Sequence, residues 1–285
     1  MLQVFTDKIS LKDFITGVKK NKKTLGFVPT MGALHDGHLS LIQQASNECD
    51  IVICSIFVNP TQFNEKEDYD RYPRIPEKDI DLLKNTSCSC IFVPSREEIY
   101  EQENYDLIQI DLGELDNILE GKFRPGHFSG VVTVVKKLFD IIEPDKAYFG
   151  QKDYQQLLTI RKMAAAFNLP VSIISCPIIR EKDGLAMSSR NLLLSDEERK
   201  FAPTIYKCLE EAKDKLKIQT IDAVQHWARE ELKKSKLVEF EYFEIRDARD
   251  LSKIEQLQTG MKIVIVTALR VGKIRLIDNI VINLN

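Results

Sequence analysis

The chain has 285 residues, a length that suits about two domains. Hydrophobic residues at 44% and charged residues at 29% are ordinary values for a globular protein. The formal net charge of -3 argues against a partner that is a nucleic acid or an anionic membrane, because proteins that bind either usually carry a basic face.

The N-terminal residues show no basic stretch followed by an apolar one, and every apolar run is too short to cross a bilayer. We therefore expect no signal peptide, no membrane span and a cytoplasmic location. Cys88 and Cys90 have the spacing of one strand face and not of a CxxC metal or redox site. The six cysteines are accordingly expected to be reduced and mostly buried.

The first part of the chain alternates strand-like and helix-like segments. Short runs rich in apolar and β-branched residues predict strands at 24–30, 51–58, 89–93, 147–149 and 171–176. Apolar residues at helical spacing predict helices at about 38–49, 128–142 and 153–167. This alternation predicts an α/β fold with a parallel sheet and helices on both faces.

The pattern changes near residue 180. Ser195 precedes two glutamates, which predicts the start of a helix, and polar helices continue to about residue 236. Strand-like segments follow at 238–246, 262–269 and 275–283. Helices followed by strands predict a smaller C-terminal α+β domain, so we predict domains at 1–180 and 181–285.

The segment Gly26–Ser40, GFVPTMGALHDGHLS, is the most informative stretch. A strand ends at Thr30, a tight turn contains Gly32, and a helix is expected to begin near Gly37 or His38. Free backbone N–H groups and the partial positive charge of a helix N-terminus favour phosphate at such a turn. His35, three residues before His38, would share its helix face, where either imidazole could donate to charge on a phosphate.

Two plainer interpretations of the histidines stay open. One or both side chains could cap or pack the turn, or they could form a metal pair, although no third ligand lies nearby in sequence. The chain contains no GxxxxGK[ST] or GxGxxG segment, which disfavours P-loop kinases and classical dinucleotide enzymes.

Two further strand ends carry polar groups. Asn59 and Gln62 follow the strand at 51–58, and ligands of open parallel sheets bind beyond such carboxyl ends. Their neutral amides suit the hydroxyl and carboxylate groups of a small polar acid. Lys152 and Asp153 follow the strand at 147–149, where a lysine beside a helix start strengthens an anion site. Each segment would also fit an ordinary turn or a surface ion pair.

Two loops complete the set. In FRPGHFSGV at 123–131, Arg124 could meet a phosphate or carboxylate and His127 could support the helix start. In the stretch 179–191, Ser188, Ser189 and Arg190 supply two hydroxyls and a cation at the predicted domain junction. A phosphate-binding loop there could close over a nucleotide and exclude water, whereas its plainer interpretation is a polar linker with an N-cap.

The string His35-Asp36-Gly37-His38 resembles the HxGH signature of the nucleotidyltransferase superfamily, whose members adenylate substrates on a Rossmann-like sheet. The longer string PTMGALHDGH at 29–38 resembles the pantothenate synthetase family in particular, and the segments at 57–63, 123–131, 148–156 and 179–191 match that family in the right order. The resemblance implies a ligase that joins pantoate to β-alanine through an acyl-adenylate, using ATP and Mg²⁺. It also implies a homodimer.

The resemblance carries roles onto residues of this chain. The residues implied in catalysis are His35, His38, Lys152 and Arg190. Those implied in ATP binding are Met31, Gly32, Ala33, Leu34, His35, Asp36, Gly37, His38, Gly150, Gln151, Lys152, Asp153, Ile179, Met187, Ser188, Ser189 and Arg190. Those implied in binding pantoate or β-alanine are Gln62, Gln156 and Asn59. Mg²⁺ would be carried mainly by the ATP phosphates, with Asp153 as the candidate protein ligand.

Three other functions compete with this one. A nucleotidyltransferase acting on a phosphate-bearing acceptor would need further cations, where this chain offers Gln62 and Gln156. A fragment related to class I aminoacyl-tRNA synthetases would share the HxGH motif but need a basic face for RNA. A non-catalytic nucleotide sensor would bind ATP without releasing pyrophosphate.

Overall fold

The computed structural model describes residues 2–100 and 105–284, which form two compact units. The first unit comprises Met1–Gln151 and Thr159–Pro177, and the second comprises Lys152–Leu158 and Ile178–Asn285. The predicted functional domains at 1–180 and 181–285 stay a prediction.

The first unit is built on a six-stranded sheet in which every neighbouring pair of strands is parallel. Its strands, in chain order, are β1 (Gln3–Phe5), β2 (Leu25–Thr30), β3 (Ile51–Ile56), β4 (Cys90–Phe92), β5 (Lys146–Gly150) and β6 (Ser172–Cys176). Their order across the sheet is β1-β4-β3-β2-β5-β6. This confirms the predicted parallel sheet.

Eight α-helices accompany these strands in the described residues. They are α1 (Lys8–Lys20), α2 (Asp36–Glu48), α3 (Lys66–Arg71), α4 (Pro76–Leu83), α5 (Arg96–Ile99), α6 (Leu119–Phe123), α7 (His127–Ile142) and α8 (Tyr154–Ala166). Short 3-10 turns lie at Pro60–Gln62 and Gly113–Asp116. The first five residues of α8 belong to the second unit.

Helices cover both faces of the sheet, as predicted. Val28 packs in a cluster with Ile42 and Ala45 of α2, whereas its neighbour Phe27 meets Phe139 of α7 edge to face at 6.2 Å. Successive strand residues point to opposite faces, so α2 and α7 lie on opposite sides. Burial on both sides explains why β2 reads as a continuous apolar run.

The centre of the sheet contains a topological switch point. From β2 the chain passes to β3 and β4 on one side, and then returns to β5 on the other side of β2. Crossovers diverge from this point, which leaves a crevice beyond the carboxyl ends of the two strands where ligands of open α/β sheets bind. Thr30 ends β2 and Gly150 ends β5, so the crevice is bordered by two predicted site segments.

The second unit contains helices packed on a three-stranded antiparallel sheet of order β7-β8-β9. Its further elements are α9 (Asp196–Phe201), α10 (Thr204–Lys215), α11 (Ile221–Lys233), β7 (Val238–Asp247), β8 (Lys262–Val271) and β9 (Ile274–Asn283), preceded by a 3-10 turn at Ser189–Leu193. Its core includes Leu209, Ala228 and Ile265, all fully buried. The predicted α+β architecture is confirmed.

Several details differ from the sequence-based expectations. The helix after β2 begins at Asp36, one to two residues earlier than predicted, because His35 and not a later residue acts as its cap. The elements β1 and α1 were not predicted. A three-residue strand gives too short a pattern, whereas α1 does bury apolar residues at helical spacing, Leu11, Ile15 and Val18, a signal that our prediction missed. All six cysteines are buried and none forms a disulfide, as expected. Among residues 2–100 and 105–284, no helix is both long and apolar enough to cross a membrane.

Candidate functional site

The turn that follows β2 has an unusual backbone. Gly32 and Ala33 both have positive φ, +78° and +49°, so two successive residues are left-handed. A Cβ on Gly32 would lie 2.9 Å from Oδ2 of Asp79 and 3.0 Å from Ile56, which explains the glycine. Ala33 carries a Cβ, so its left-handed conformation costs roughly 1–2 kcal/mol. Neighbouring groups must therefore hold this turn.

Asp79, on α4, supplies that support. Its side chain is 2% exposed, and its two carboxylate oxygens accept the N–H groups of Ala33 and Leu34, each at 2.8 Å. Burial raises the pKa of Asp79, while the same two N–H donors oppose the rise. Thr30 completes the turn, because its hydroxyl accepts the N–H of Gly32 at 3.2 Å and donates to a β3 carbonyl.

His35 and His38 form a reciprocal cap on α2. Nδ1 of His35 accepts the N–H of Gly37 at 3.2 Å, and Nδ1 of His38 accepts the N–H of His35 at 3.3 Å. The ring centroids lie 4.1 Å apart, which confirms that the two rings are neighbours. An amide N–H can only donate, so Nδ1 is the acceptor in both rings and each neutral imidazole carries its proton on Nε2.

The capping box corrects one expectation. The helix start was predicted to offer free backbone N–H groups, but those of His35, Gly37 and His38 all have acceptors within the protein. The prediction was wrong for these groups because the histidine side chains cap the helix. The interpretation of the histidines as caps is thus correct, and the positive charge of the helix N-terminus still favours an anion.

Gln62 lies beside this turn. Its side-chain N–H donates to Sδ of Met31 at 2.9 Å, and its Oε1 accepts an N–H of Asn59 at 3.2 Å. The structure thus brings together two predicted groups, one from the turn after β2 and one from the end of β3. A primary amide has two N–H donors and two oxygen lone pairs, and these contacts use one of each.

Asn59 is 1% exposed, and both ends of its amide are engaged. Oδ1 accepts from the hydroxyl of Tyr100 at 2.7 Å and from Thr61, while Nδ2 donates to Gln62 and to the carbonyl of Gly130. The predicted role of Asn59 as a substrate ligand stays a prediction. Its observed contacts hold the amide of Gln62.

The second unit contains Lys152, Asp153 and Gln156 at the start of α8. Asp153 is exposed, whereas Lys152 and Gln156 are half-buried. The main-chain carbonyl of Lys152 accepts an N–H of Asn279, on β9, at 2.8 Å. Gly150 and Gln151 belong to the first unit, where Gln151 continues the pairing of β5 by donating to a carbonyl of β6.

Asp278, beside Asn279 in sequence, holds a second segment. Its carboxylate binds the guanidinium of Arg180 through two hydrogen bonds of 2.6 and 2.9 Å, and that guanidinium stacks on Tyr206 at 3.7 Å. Burial raises the pKa of Asp278, and the contact with Arg180 opposes this rise. The ion pair anchors the chain at the residue after Ile179.

The loop that carries the serine pair is braced internally. The N–H of Met187 donates to the carbonyl of Ile179 at 3.0 Å, and the hydroxyl of Ser188 accepts the N–H of Arg190 at 3.3 Å. Ser189 is buried, whereas Ser188 and Arg190 are half-buried. The predicted residues of this loop are therefore neighbours within the second unit.

Sequence reasoning missed Asp79, Tyr100, Asp278 and Asn279. Nothing local marks Asp79, because it lies on an amphipathic helix that has several acidic residues. The Asp278-Asn279 pair did carry a signal. Two adjacent buried polar residues separate two apolar runs within β9, and buried polar groups in a strand need partners.

No group of three or more His, Cys, Asp or Glu side chains in residues 2–100 and 105–284 is placed to hold a metal ion. The alternative of a histidine metal pair finds no third ligand there. Mg²⁺ differs from a caged metal, because it usually keeps waters and binds one or two carboxylates together with substrate phosphates.

Comparisons with known proteins agree on one family. The family model described as pantoate-beta-alanine ligase matches residues 3–281. A pantothenate synthetase of Porphyromonas gingivalis is 48% identical over 98% of this chain and 99% of that protein. A pantothenate synthetase of Christiangramia forsetii is 46% identical over 99% of this chain and 100% of that protein.

Two solved structures share the fold at full length. The crystal structure of a pantothenate synthetase from Thermus thermophilus has a TM-score of 0.90 and 38% identity, covering 98% of this chain and 99% of that one. The crystal structure of a pantoate-beta-alanine ligase from Francisella tularensis, complexed with beta-gamma ATP and β-alanine, has a TM-score of 0.80 and 36% identity, covering 98% and 97%.

Proposed function

The chain belongs to the pantoate–β-alanine ligase family, and from that premise we propose that it joins (R)-pantoate to β-alanine through a pantoyl-adenylate made from ATP. The first step forms a bond between a pantoate carboxylate oxygen and the α-phosphorus, and pyrophosphate leaves. In the second step the amine of β-alanine attacks the acyl carbon, and AMP leaves with the bonding electron pair while the amine loses a proton. The predicted ligase activity is that of the family.

The contact between Gln62 and Met31 carries this proposal. It joins an amide suited to a small hydroxy acid to the turn that bears the HxGH motif, at a distance of 2.9 Å. Adenylation requires the acid and the α-phosphate to be neighbours, because holding the reacting atoms in line contributes substantially to the acceleration. Gln62 would bind pantoate through its remaining donor and acceptor, and we propose Gln156 as a further pantoate ligand.

The histidines would stabilise charge on the phosphate oxygens. Pantoate is ionised at neutral pH, so the first step needs no general base. The Nε2–H groups of His35 and His38 are donors, and their rings are fixed by the capping contacts before any ligand binds. Donors aimed in advance at developing charge supply a large share of the catalysis in such transfers.

Two cations and a pair of serines would supply the remaining contacts to the phosphates. We propose that Lys152 and Arg190 balance charge on the phosphates and that Ser188 and Ser189 orient them. The carbonyl contact of Asn279 and the internal hydrogen bonds of the serine loop support these roles, since they limit the freedom of both segments. The other proposed nucleotide ligands are Met31, Gly32, Ala33, Leu34, Asp36, Gly37, Gly150, Gln151, Asp153, Ile179 and Met187.

We propose that Mg²⁺ travels with the ATP phosphates. A carboxylate at Asp153, which is exposed beside Lys152, fits the single protein ligand that such an ion commonly takes. The ion would neutralise part of the triphosphate charge.

We also propose that the protein is a homodimer in the cytoplasm, a proposal supported by the family resemblance alone. Light scattering tests the oligomeric state, and cell fractionation tests the location.

The test of the activity measures pyrophosphate and AMP from purified protein with Mg-ATP, while pantoate and β-alanine are omitted in turn. We expect pyrophosphate to require pantoate, and AMP release to require β-alanine as well. Amine-independent transfer of AMP to a phosphate-bearing acceptor would overturn the proposal in favour of another nucleotidyltransferase. ATP binding without any pyrophosphate would instead identify a sensor.

A further inference from the structure

The segment 123–131, to which the sequence assigns no definite role, packs against the chain at Gln62. Helix α7 starts directly after Gly126, and its first turn lies on the 3-10 turn at Pro60–Gln62. A Cβ on Gly130 would lie 2.3 Å from the carbonyl oxygen of Thr61 and 2.9 Å from the nitrogen of Gln62. Only glycine allows the two backbones to approach this closely.

Two side chains of this segment bind one carbonyl. Nδ1 of His127 lies 2.7 Å from the main-chain oxygen of Gln62, and Nη2 of Arg124 donates to the same oxygen at 3.1 Å. A carbonyl only accepts, so Nδ1 of His127 carries a proton. Nε2 of the neutral ring then accepts from Nη1 of Arg124, 3.1 Å away. One tautomer therefore satisfies all three contacts.

The cation in this cluster is balanced. Glu120 lies 3.6 Å from Arg124, and the two side chains are 10% and 18% exposed. His127 is 5% exposed. Buried polar groups of this kind are costly unless they are paired, so the arrangement favours one geometry of the Gln62 backbone over alternatives.

Gln62 is thus held at both of its ends. The main-chain carbonyl is bound by His127 and Arg124, while the side-chain amide is bound by Asn59 and Met31. A glutamine side chain has three rotatable bonds beyond Cα, and an amide that binds substrate must still reach the same position each time. A misplacement of about 1 Å can lower a rate by about 100-fold.

We propose that His127 and Arg124 are positioning residues for the pantoate-binding amide of Gln62, an inference that rests on the proposed function. They act through the main chain of Gln62 and do not touch the substrate. Their loss shifts the amide and weakens pantoate binding, whereas the nucleotide turn keeps its own supports at Thr30 and Asp79.

The test compares His127→Leu with His127→Asn. Leucine removes the donor, whereas the asparagine amide places an N–H near the former Nδ1 position. In pantoate-dependent pyrophosphate release, we expect His127→Leu to raise the KM for pantoate by about tenfold, which corresponds to losing one hydrogen bond of about 1.4 kcal/mol. The KM for ATP should stay within about twofold, and His127→Asn should recover most of the loss.

Thr133→Val is the matched control. Thr133 is fully buried on the same helix, and its hydroxyl bonds the carbonyl of Ser129 and the N–H of Ile108, away from Gln62. It should lower the midpoint of thermal unfolding without a selective change in the KM for pantoate. If His127→Leu does not fold, Arg124→Met removes the second donor at a less buried position and should raise the same KM by about threefold or more.

Equal changes in both KM values, or no change in a folded His127→Leu and a folded Arg124→Met, would overturn the positioning role. A wild-type protein that releases no pyrophosphate with pantoate would refute the proposed function instead. The two failures are distinct, because only the second appears before any substitution is made.

Discussion

Replacing Asp79 by asparagine would test whether the turn after β2 is held in its binding conformation by one buried carboxylate. The two oxygens accept the N–H groups of Ala33 and Leu34, each at 2.8 Å. Asparagine has a single oxygen, so at least one bond to a charged group is lost, a contact that contributes about 1.5–3 kcal/mol. The left-handed Ala33 adds about 1–2 kcal/mol of strain that must still be offset.

The expected result is weaker binding of ATP at the proposed nucleotide site. If the free energy of the lost hydrogen bond appears as weaker ATP binding, the Kd for ATP rises by about tenfold or more, since 1.4 kcal/mol corresponds to a factor of ten. Isothermal calorimetry measures this Kd, and the pyrophosphate assay measures the KM for ATP. Asp81→Asn is the matched control, because Asp81 lies on the same helix but is 72% exposed and forms its ion pair with Lys84.

The same variant has a signature in the pH dependence of stability. Burial raises the pKa of Asp79 above its ordinary value of 3.8. Between that value and the raised pKa, the folded state binds more protons than the unfolded state, so the free energy of unfolding falls as pH rises. Asp79→Asn removes this fall, which urea unfolding between about pH 4 and pH 7 would detect.

An Asp79→Asn protein that folds, binds ATP within about twofold of wild type and keeps the pH dependence of wild type would refute the reasoning. The turn would then be held by its local sequence, and the buried carboxylate would be an incidental feature of α4.

Four further outcomes can be measured. His38→Ala should slow adenylate formation by roughly 100- to 1000-fold, the scale of losing one preorganised donor, and single-turnover pyrophosphate release measures this rate. Gly32→Ala should lower the free energy of unfolding by about 2–4 kcal/mol, because Gly32 has positive φ and an added Cβ would meet close neighbours. Gly260→Ala should lower it by only about 1–2 kcal/mol, because Gly260 has positive φ but open space around it. Asn279→Ala should lower kcat by about fivefold, because it removes the hydrogen bond to the main-chain carbonyl of Lys152, the proposed catalytic lysine. Asn283→Ala, at the exposed end of β9, is the control and should leave kcat unchanged. The six thiols should resist a disulfide reagent at about pH 8 until the protein is unfolded, since burial raises the pKa of three of them to about 12.

Much of this protein follows from its local sequence. Apolar runs interrupted by turns identified β2, β3, β5 and β6, and the pattern is clearest in β2 and β3, which are buried along almost their whole length. The HxGH string predicted that His35 and His38 are neighbours, and they are, although His35 is the extended cap residue and the reciprocal capping contacts bring the two rings together. Short, mostly exposed elements such as β1 carry no continuous apolar run and were missed.

The supports of the site were decided only by the tertiary structure. Asp79 meets a backbone 45 and 46 residues away in the chain, and His127 meets a carbonyl 65 residues away. Such pairs depend on the order and register of packed elements, which a single sequence does not display. The sequence by itself therefore determined which groups are proposed to perform the chemistry, whereas packing decided which buried groups hold them in place.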